Sequence, residues 1–189
     1  MHSRFFALVI GIDKYPGLKR NNQDHDLGGA CSDARNIRKW LIEYVVGEES
    51  KDNITLLLDE QATREEIIKK ITALSTYVQP RDPILIYYAG HGGVAMTHPR
   101  WNHVAKGGNS QSGDSTRIEV LLPHDVYTPR EAPMDQQIQP IPDTTINCLL
   151  RELAQKSDNI VRSTPRTGFC HMLDLRHRQL SLIAAIQQG

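Results

Sequence analysis

Apolar and polar positions along the chain follow two alternating periods. Phe5–Ile12, Ile54–Leu58 and Ile84–Ala89 are near-continuous apolar stretches, the pattern of strands buried on both faces. Between them, apolar residues recur at helical spacing. Ile37, Trp40, Leu41, Tyr44 and Val45 share one face after Ser32, which can cap the helix, and Gly47 closes it. Ile67, Ile71, Leu74 and Val78 form a second stripe, opened by the Thr63–Glu66 capping pattern and stopped by Pro80. These alternations predict a mainly parallel sheet with helices on both faces. Ligands and chemistry in such sheets sit at the carboxyl ends of the strands. The loops after Ile12, Ala89 and Leu122 are therefore the first places to look.

Other stretches are less regular. Asn21–Gly29 is polar and glycine-containing, so it reads as a loop. Gly90–Arg117 has no clear period and is expected to be a long functional or disordered loop. Ile118–Leu122 reads as a short fourth strand, and Tyr127–Pro142 as a proline-rich connection. Pro142 and Asp143 open a helix with Ile146, Leu149, Leu150 and Leu153 on one face. Asn159–Val161 begins a fifth strand. From there the texture changes: Pro165 and scattered arginines argue against a sheet interior, so Ser163–Arg178 is expected to be irregular. Leu180, Ile183 and Ala184 suggest a short terminal helix.

Composition narrows the function classes. The 189 residues carry 22 Lys and Arg against 22 Asp and Glu, without the basic excess of a nucleic-acid binder. No apolar run reaches the ~18–20 residues of a membrane-spanning helix, so no membrane partner is expected. Phe5–Ile12 ends at Asp13 with no small-residue cleavage site, which favours a buried strand, a secretory leader being the alternative. Three widely spaced cysteines, Cys31, Cys148 and Cys170, argue against a disulfide framework and for a reducing, cytoplasmic setting. The histidines His91, His98, His103 and His124 fit no zinc spacing, so no metal site is expected. No phosphate-binding glycine loop is present either.

The most informative segment is Tyr87-Tyr88-Ala89-Gly90-His91-Gly92-Gly93. A strand runs straight into a histidine flanked by glycines, which allow a sharp turn and close approach to a ligand. A histidine at the carboxyl end of a strand is placed for general acid–base work. The plain alternative is an ordinary loop histidine.

The segment resembles the histidine motif of caspase-like cysteine peptidases, metacaspases in particular (peptidase family C14). Ala7–Tyr15 is similar to that family's first strand and turn, and Gly29–Ala34 to the segment leading into its first helix. Asn53–Asp59 with Ala62-Thr63-Arg64, then Glu119–Asp125 and Ile141–Asp143, continue the resemblance in order over roughly residues 4–160. It implies an α/β fold: a caspase-like three-layer sandwich with a mainly parallel central sheet, here expected to be incomplete at its C-terminal end. It divides the chain into a caspase-like N-terminal part, 1–160, and a divergent tail, 161–189.

The resemblance also implies a mechanism. A cysteine thiolate attacks the peptide carbonyl, and His91 protonates the leaving amine. The Gly92 N–H helps stabilise the oxyanion. Asp33 matches the acid that receives a substrate Arg or Lys, its alternative being a helix N-terminal acid favoured by the dipole. The implied partner is a polypeptide. No cofactor is expected, with calcium dependence and oligomeric state left open. Two departures stand out. Ala89 replaces the family serine, and the Asp-x-Cys-His-Ser-Gly nucleophile motif is missing. Cys170-His171 follows later without the flanking residues. The chain therefore reads as a cysteine endopeptidase domain cutting after Arg or Lys, with Cys170 as a displaced nucleophile or as unrelated tail, and with little or no activity of its own. The alternatives are an inactive pseudo-peptidase that binds or regulates, and a truncated splice product.

Overall fold

A computed structural model of the chain describes residues 3–20, 23–96, 117–129, 133–157, 159–166 and 169–174. The first strand, β1 (Phe6–Gly11), is buried at every position. A small hairpin, β2 (Lys19–Arg20) and β3 (Gln23–Asp24), leads to α1 (Ala30–Leu41), which widens into a π-helical turn over Ile42–Val46. Gly47, at φ 75°, ends it as expected. Next come β4 (Ile54–Leu58), α2 (Arg64–Tyr77) and β5 (Ile84–Ala89). The remaining elements are β6 (Gly92–Met96), β7 (Arg117–Leu121), β8 (Ile141–Pro142), α3 (Asp143–Ala154), β9 (Ile160–Arg166) and β10 (Phe169–Asp174).

The central sheet has the order β10-β9-β5-β1-β4. β1 pairs in parallel with both β4 and β5, Val9 lying level with Leu56 and Tyr87. β5 pairs in parallel with β9, and β10 closes the edge antiparallel. The strand alternation sorts the core into two faces. Phe6, Leu8, Ile10, Ile84, Ile86 and Tyr88 pack with Ile67 and Ile71 of α2 and Ile146 and Leu150 of α3. Ala7, Val9 and Leu85 pack with Ala34 and Leu41 of α1. Full burial of each large apolar side chain is worth about 1.5–3 kcal/mol, so this two-sided alternation is what holds the three layers together.

Helix starts show how local and distant signals divide. Thr63 Oγ1 accepts the Glu66 amide at 3.2 Å, as the local pattern predicts. In α1 the helix begins at Ala30, ahead of Ser32, which is not the cap. Its first amides are taken up by Asp13, from the loop after β1. Asp13 Oδ1 accepts Gly29 N and Ala30 N at 3.0 and 2.8 Å, and Oδ2 accepts Cys31 N at 3.2 Å.

Three sequence expectations need correction. First, the residues after His91 are not all loop: β6 pairs antiparallel with β7, and β7 with β8, in a separate three-stranded sheet. Gly92 and Gly93 hide this strand because they carry no side-chain period. Second, the strand at Ile118–Leu122 belongs to that sheet rather than to the parallel alternation. Third, the segment after Ile160 is not irregular within the described residues. β9 extends through Pro165, which lies past the four residues of β9 that pair with β5. On the β5 side Pro165 therefore has no ladder bond to donate, while β10 still pairs opposite it, and a Pro is tolerated there. Arg162 is buried against α3, and its Nη1 donates to Asn147 Oδ1 at 3.3 Å. Burial lowers the Arg162 pKa, and the fields of Asp143 and Glu119 oppose that fall. His98, His103 and the terminal helix at Leu180–Ala184 lie outside the described residues.

Candidate active site

Parallel pairing brings the carboxyl ends of β1, β4 and β5 to one edge of the sheet. His91 stands two residues beyond β5 on that edge. Its Nε2 lies 2.6 Å from the carbonyl oxygen of His25. A carbonyl only accepts, so the proton of the neutral ring belongs on Nε2. Nδ1 is then the basic nitrogen, and among the described residues nothing bonds to it.

The backbone of His91 is held as tightly as its ring. Its N–H donates to Tyr15 Oη at 2.7 Å. Tyr88 Oη lies 2.8 Å from the His91 carbonyl and 2.8 Å from the Leu122 carbonyl. Leu122 N also donates to the His91 carbonyl, at 3.0 Å. The Tyr15 ring sits against the imidazole, centroids 4.8 Å apart and tilted by 49°. Gly90 is required for closeness. A Cβ there would come within 2.6 Å of Tyr15 Oη and 2.7 Å of Tyr88 Oη. Burial pushes the Tyr15 hydroxyl up to about 12 and Tyr88 well above its ordinary value, so both stay protonated at neutral pH.

A web of carboxylates fixes the loop that carries the His25 carbonyl. Asp26 Oδ1 accepts Tyr15 N at 3.0 Å, and Oδ2 pairs with Lys14 Nζ at 2.8 Å. Leu27 N donates to the Asp13 carbonyl at 2.7 Å. Asp59 Oδ1 accepts Asp13 N and Lys14 N at 2.8 and 2.9 Å. Burial alone would raise the pKa of Asp59, but the amides of Lys14 and Asp13 and the Cys31 thiol hold it below the usual carboxylate value.

The residues singled out in the sequence fall as follows. Asp33 is in the first turn of α1, with an exposed side chain. That turn packs on Gly11, where a Cβ would sit 2.6 Å from Ala34 Cβ, so Asp33 shares the carboxyl end of the sheet with His91. No hydrogen bond joins the two among the described residues. Gly92 opens β6 opposite Leu121 and is exposed, with only the Val120 carbonyl, at 3.5 Å, near a Cβ position. Cys170 lies on β10 opposite Pro165 of β9. Tyr87 is level with Ser163, so two more residues of the same register would bring Pro165 level with Ala89. The backbone at Cys170 therefore lies at the same end of the sheet as His91 but two strand spacings from β5, about 10 Å at ~4.8 Å each. The other two cysteines lie on helices, Cys31 on α1 and Cys148 on α3. Cys31 is buried, donates to the Gly11 carbonyl and Asp59, and is pushed up to about 11 by burial and then by Asp59. Cys148 is exposed on α3.

Sequence reasoning missed the roles of Tyr15, Tyr88 and the His25 carbonyl. Tyr15 and Tyr88 lie inside the quoted motifs, and that was their only signal. A backbone carbonyl carries none.

The sequence matches the caspase-domain family, Peptidase C14, across residues 4–129. The chain belongs to that family. The match takes in β1, α1, β4, α2, β5 and His91. Among curated relatives, Metacaspase-1 of Candida albicans is 32% identical over 128 residues, covering 65% of this chain and 25% of that protein. Metacaspase-1 of Pyricularia oryzae is 31% identical over 93 residues, 46% of this chain and 22% of that protein. This caspase domain thus spans a quarter or less of the length of those relatives. Among solved structures, protein GSU0716 of Geobacter sulfurreducens superposes with a TM-score of 0.57 at 17% identity, over 84% of this chain and 48% of that one. That likeness speaks for the fold alone. No helix among the described residues is long and apolar enough to cross a membrane.

Proposed function

We propose that this caspase domain carries the acid–base half of a cysteine endopeptidase that cuts polypeptides after Arg or Lys. The observation that carries the reading is the oriented His91, with Nε2 on the His25 carbonyl and Nδ1 without a bond among the described residues. In the reaction, Nδ1 takes the proton of a cysteine thiol, and the thiolate adds to the scissile carbonyl. The tetrahedral oxyanion meets the Gly92 N–H. The imidazolium then returns its proton to the departing amine, and water hydrolyses the acyl-enzyme with His91 again as base. Asp33 supplies the carboxylate for the substrate cation.

The nucleophile is the weak member. Proximity requires reacting atoms about 3–3.5 Å apart, and β9 lies between β10 and β5. This separation favours a second reading of the chain by itself, a substrate-binding module with residual or no turnover.

One experiment separates the parts. A peptide ending in Arg should shift the His91 ring resonances of the 189-residue chain, a peptide ending in Glu should not, and Asp33→Asn should remove the shift. Equal shifts with both peptides, or none with either, would sink the basic-substrate reading. A reactive probe with arginine at its electrophilic end should leave Cys170 unlabelled. Strong labelling, abolished by His91→Ala, would make Cys170 a working nucleophile in this chain.

A further inference from the structure

We propose that Tyr15, backed by Tyr88, is the positioning residue of the acid–base histidine: the two phenols hold the backbone N–H and C=O that flank the His91 Cα while the Tyr15 ring packs against the imidazole. The proposal rests on His91 being the acid–base residue.

Hydrogen-bond directions make the arrangement more than core packing. The His91 N–H can only donate, so Tyr15 Oη must accept it at 2.7 Å. The carbonyls of His91 and Leu122 can only accept, so the single Tyr88 proton is directed to them, at 2.8 Å each. Tyr15's own proton is then left for the Tyr88 oxygen, across a long 3.5 Å contact. The Tyr15 oxygen must accept the His91 N–H, while the one Tyr88 proton is shared between the two carbonyls, the His91 carbonyl also accepting Leu122 N at 3.0 Å. A buried tyrosine that served only to fill the core could place its hydroxyl on any carbonyl or on water. Here both hydroxyls, from two different segments, meet at the same residue.

The three restraints act on different parts of His91. The phenols set where its Cα stands. The Tyr15 ring, 4.8 Å from the imidazole centroid, limits rotation of the side chain on one face. The His25 carbonyl fixes one ring edge and with it the tautomer. Tyr15 is joined to both ends of this system, because its own amide is held by Asp26, next in sequence to His25. Loss of the Tyr15 hydroxyl therefore releases the histidine's backbone while leaving the fold's apolar contacts in place.

The test uses the full 189-residue chain with labelled histidine. It compares the native chain with Tyr15→Phe and Tyr88→Phe, with the His91 signals assigned by His91→Ala. Two quantities are read: the ring-nitrogen tautomer pattern of His91 and the hydrogen-exchange rate of its amide. The native chain should show the Nε2–H tautomer alone and a protected amide. Tyr15→Phe should keep its far-ultraviolet circular dichroism, mix the tautomers, and speed His91 amide exchange roughly tenfold, the loss of one hydrogen bond. Tyr88→Phe, which keeps both the Tyr15 ring and the His91 N–H acceptor, should mix the tautomers less, and it carries the measurement should Tyr15→Phe not fold. Unchanged exchange and tautomer in folded Phe variants would overturn the proposal. Failure of the peptidase reading would appear instead in the peptide titration, with these two signals still responding to Tyr15→Phe.

Discussion

The two ends of the central sheet are built differently. At the amino end one buried carboxylate does the joining. Asp82 accepts the amides of Arg4 and Gln79, each at 2.8 Å, and its carbonyl takes the Ser157 hydroxyl at 2.8 Å. It thereby ties the starts of three segments together. At the carboxyl end, Asp13, Asp26, Asp59, Tyr15 and Tyr88 all place side-chain oxygens on backbone groups. Asp125 joins them by accepting Arg64 N at 2.8 Å. Gly11, Gly17 and Gly90 have no room for a Cβ, the one at Gly17 overlapping the Val126 carbonyl. The amino end needs only to close strands onto helices. The carboxyl end must hold irregular backbone in one shape, and irregular backbone has no repeating partner for its polar groups, so side chains supply them. Ligands of open parallel sheets bind at this same end.

The largest test of this contrast is Gly90→Ala. The added methyl would meet two buried hydroxyls on rigid rings, and overpacking of that kind costs about 3 kcal/mol. Urea unfolding should show the loss, and the Nε2–H tautomer of His91 should no longer dominate. Gly93→Ala, whose Cβ would lie 3.4 Å from side-chain atoms of Leu122 and Val120, is the control and should be close to native.

Asp13→Ala comes next. It strips the acceptor from three amides at the start of α1 and should cost about 2 kcal/mol. It should also disturb His91, because the same loop carries the His25 carbonyl. Asp82→Asn should cost about 1–2 kcal/mol, since one amide would face an NH2 group. Its signature is the opposite one: lower stability with the His91 ring signals unchanged. Equal disturbance of His91 by both variants would mean the two ends are not independent.

The smallest expected effect is electrostatic. Asp59 has a folded pKa below its unfolded value. Between the two values the unfolded chain binds more protons, so stability rises with pH there. The contribution is complete above the unfolded value, about 3.9, and disappears as pH falls through the folded one. Unfolding midpoints of the native chain should therefore drop more steeply below about pH 4 than those of Asp59→Asn. Parallel acid limbs would remove Asp59 from the carboxyl-end network.

Much of this was legible locally. The apolar runs of β1, β4 and β5 place them as buried neighbours, and the helical stripes place α1 and α2. Thr63 marks its own helix start. His91 stands out because a strand leads into it. Other features gave no such sign. Gly92 and Gly93 sit in a strand without a pattern. Pro165 and Arg162 look unlike sheet residues, yet β9 accepts the first where its pairing with β5 has ended and the second against α3. Ser32 is the obvious cap of α1, but Asp13 reaches across from seventeen residues away to Ala30 and takes the amides instead.

The amino-acid order by itself determined which segments are buried, on how many faces, and in what sequence strand and helix alternate. Those properties follow from side-chain spacing against a fixed backbone period. It also determined that a histidine follows the third parallel strand. Only the tertiary structure decided which nitrogen of His91 holds the proton, that two tyrosines from distant segments hold its backbone, and that the edge strand β10 sets Cys170 at that end of the sheet with β9 in between. Hydrogen bonds between distant segments have no period along the chain, and a backbone carbonyl such as that of His25 is the same group in every residue. Their meaning arises only when folding brings the partners within about 3 Å.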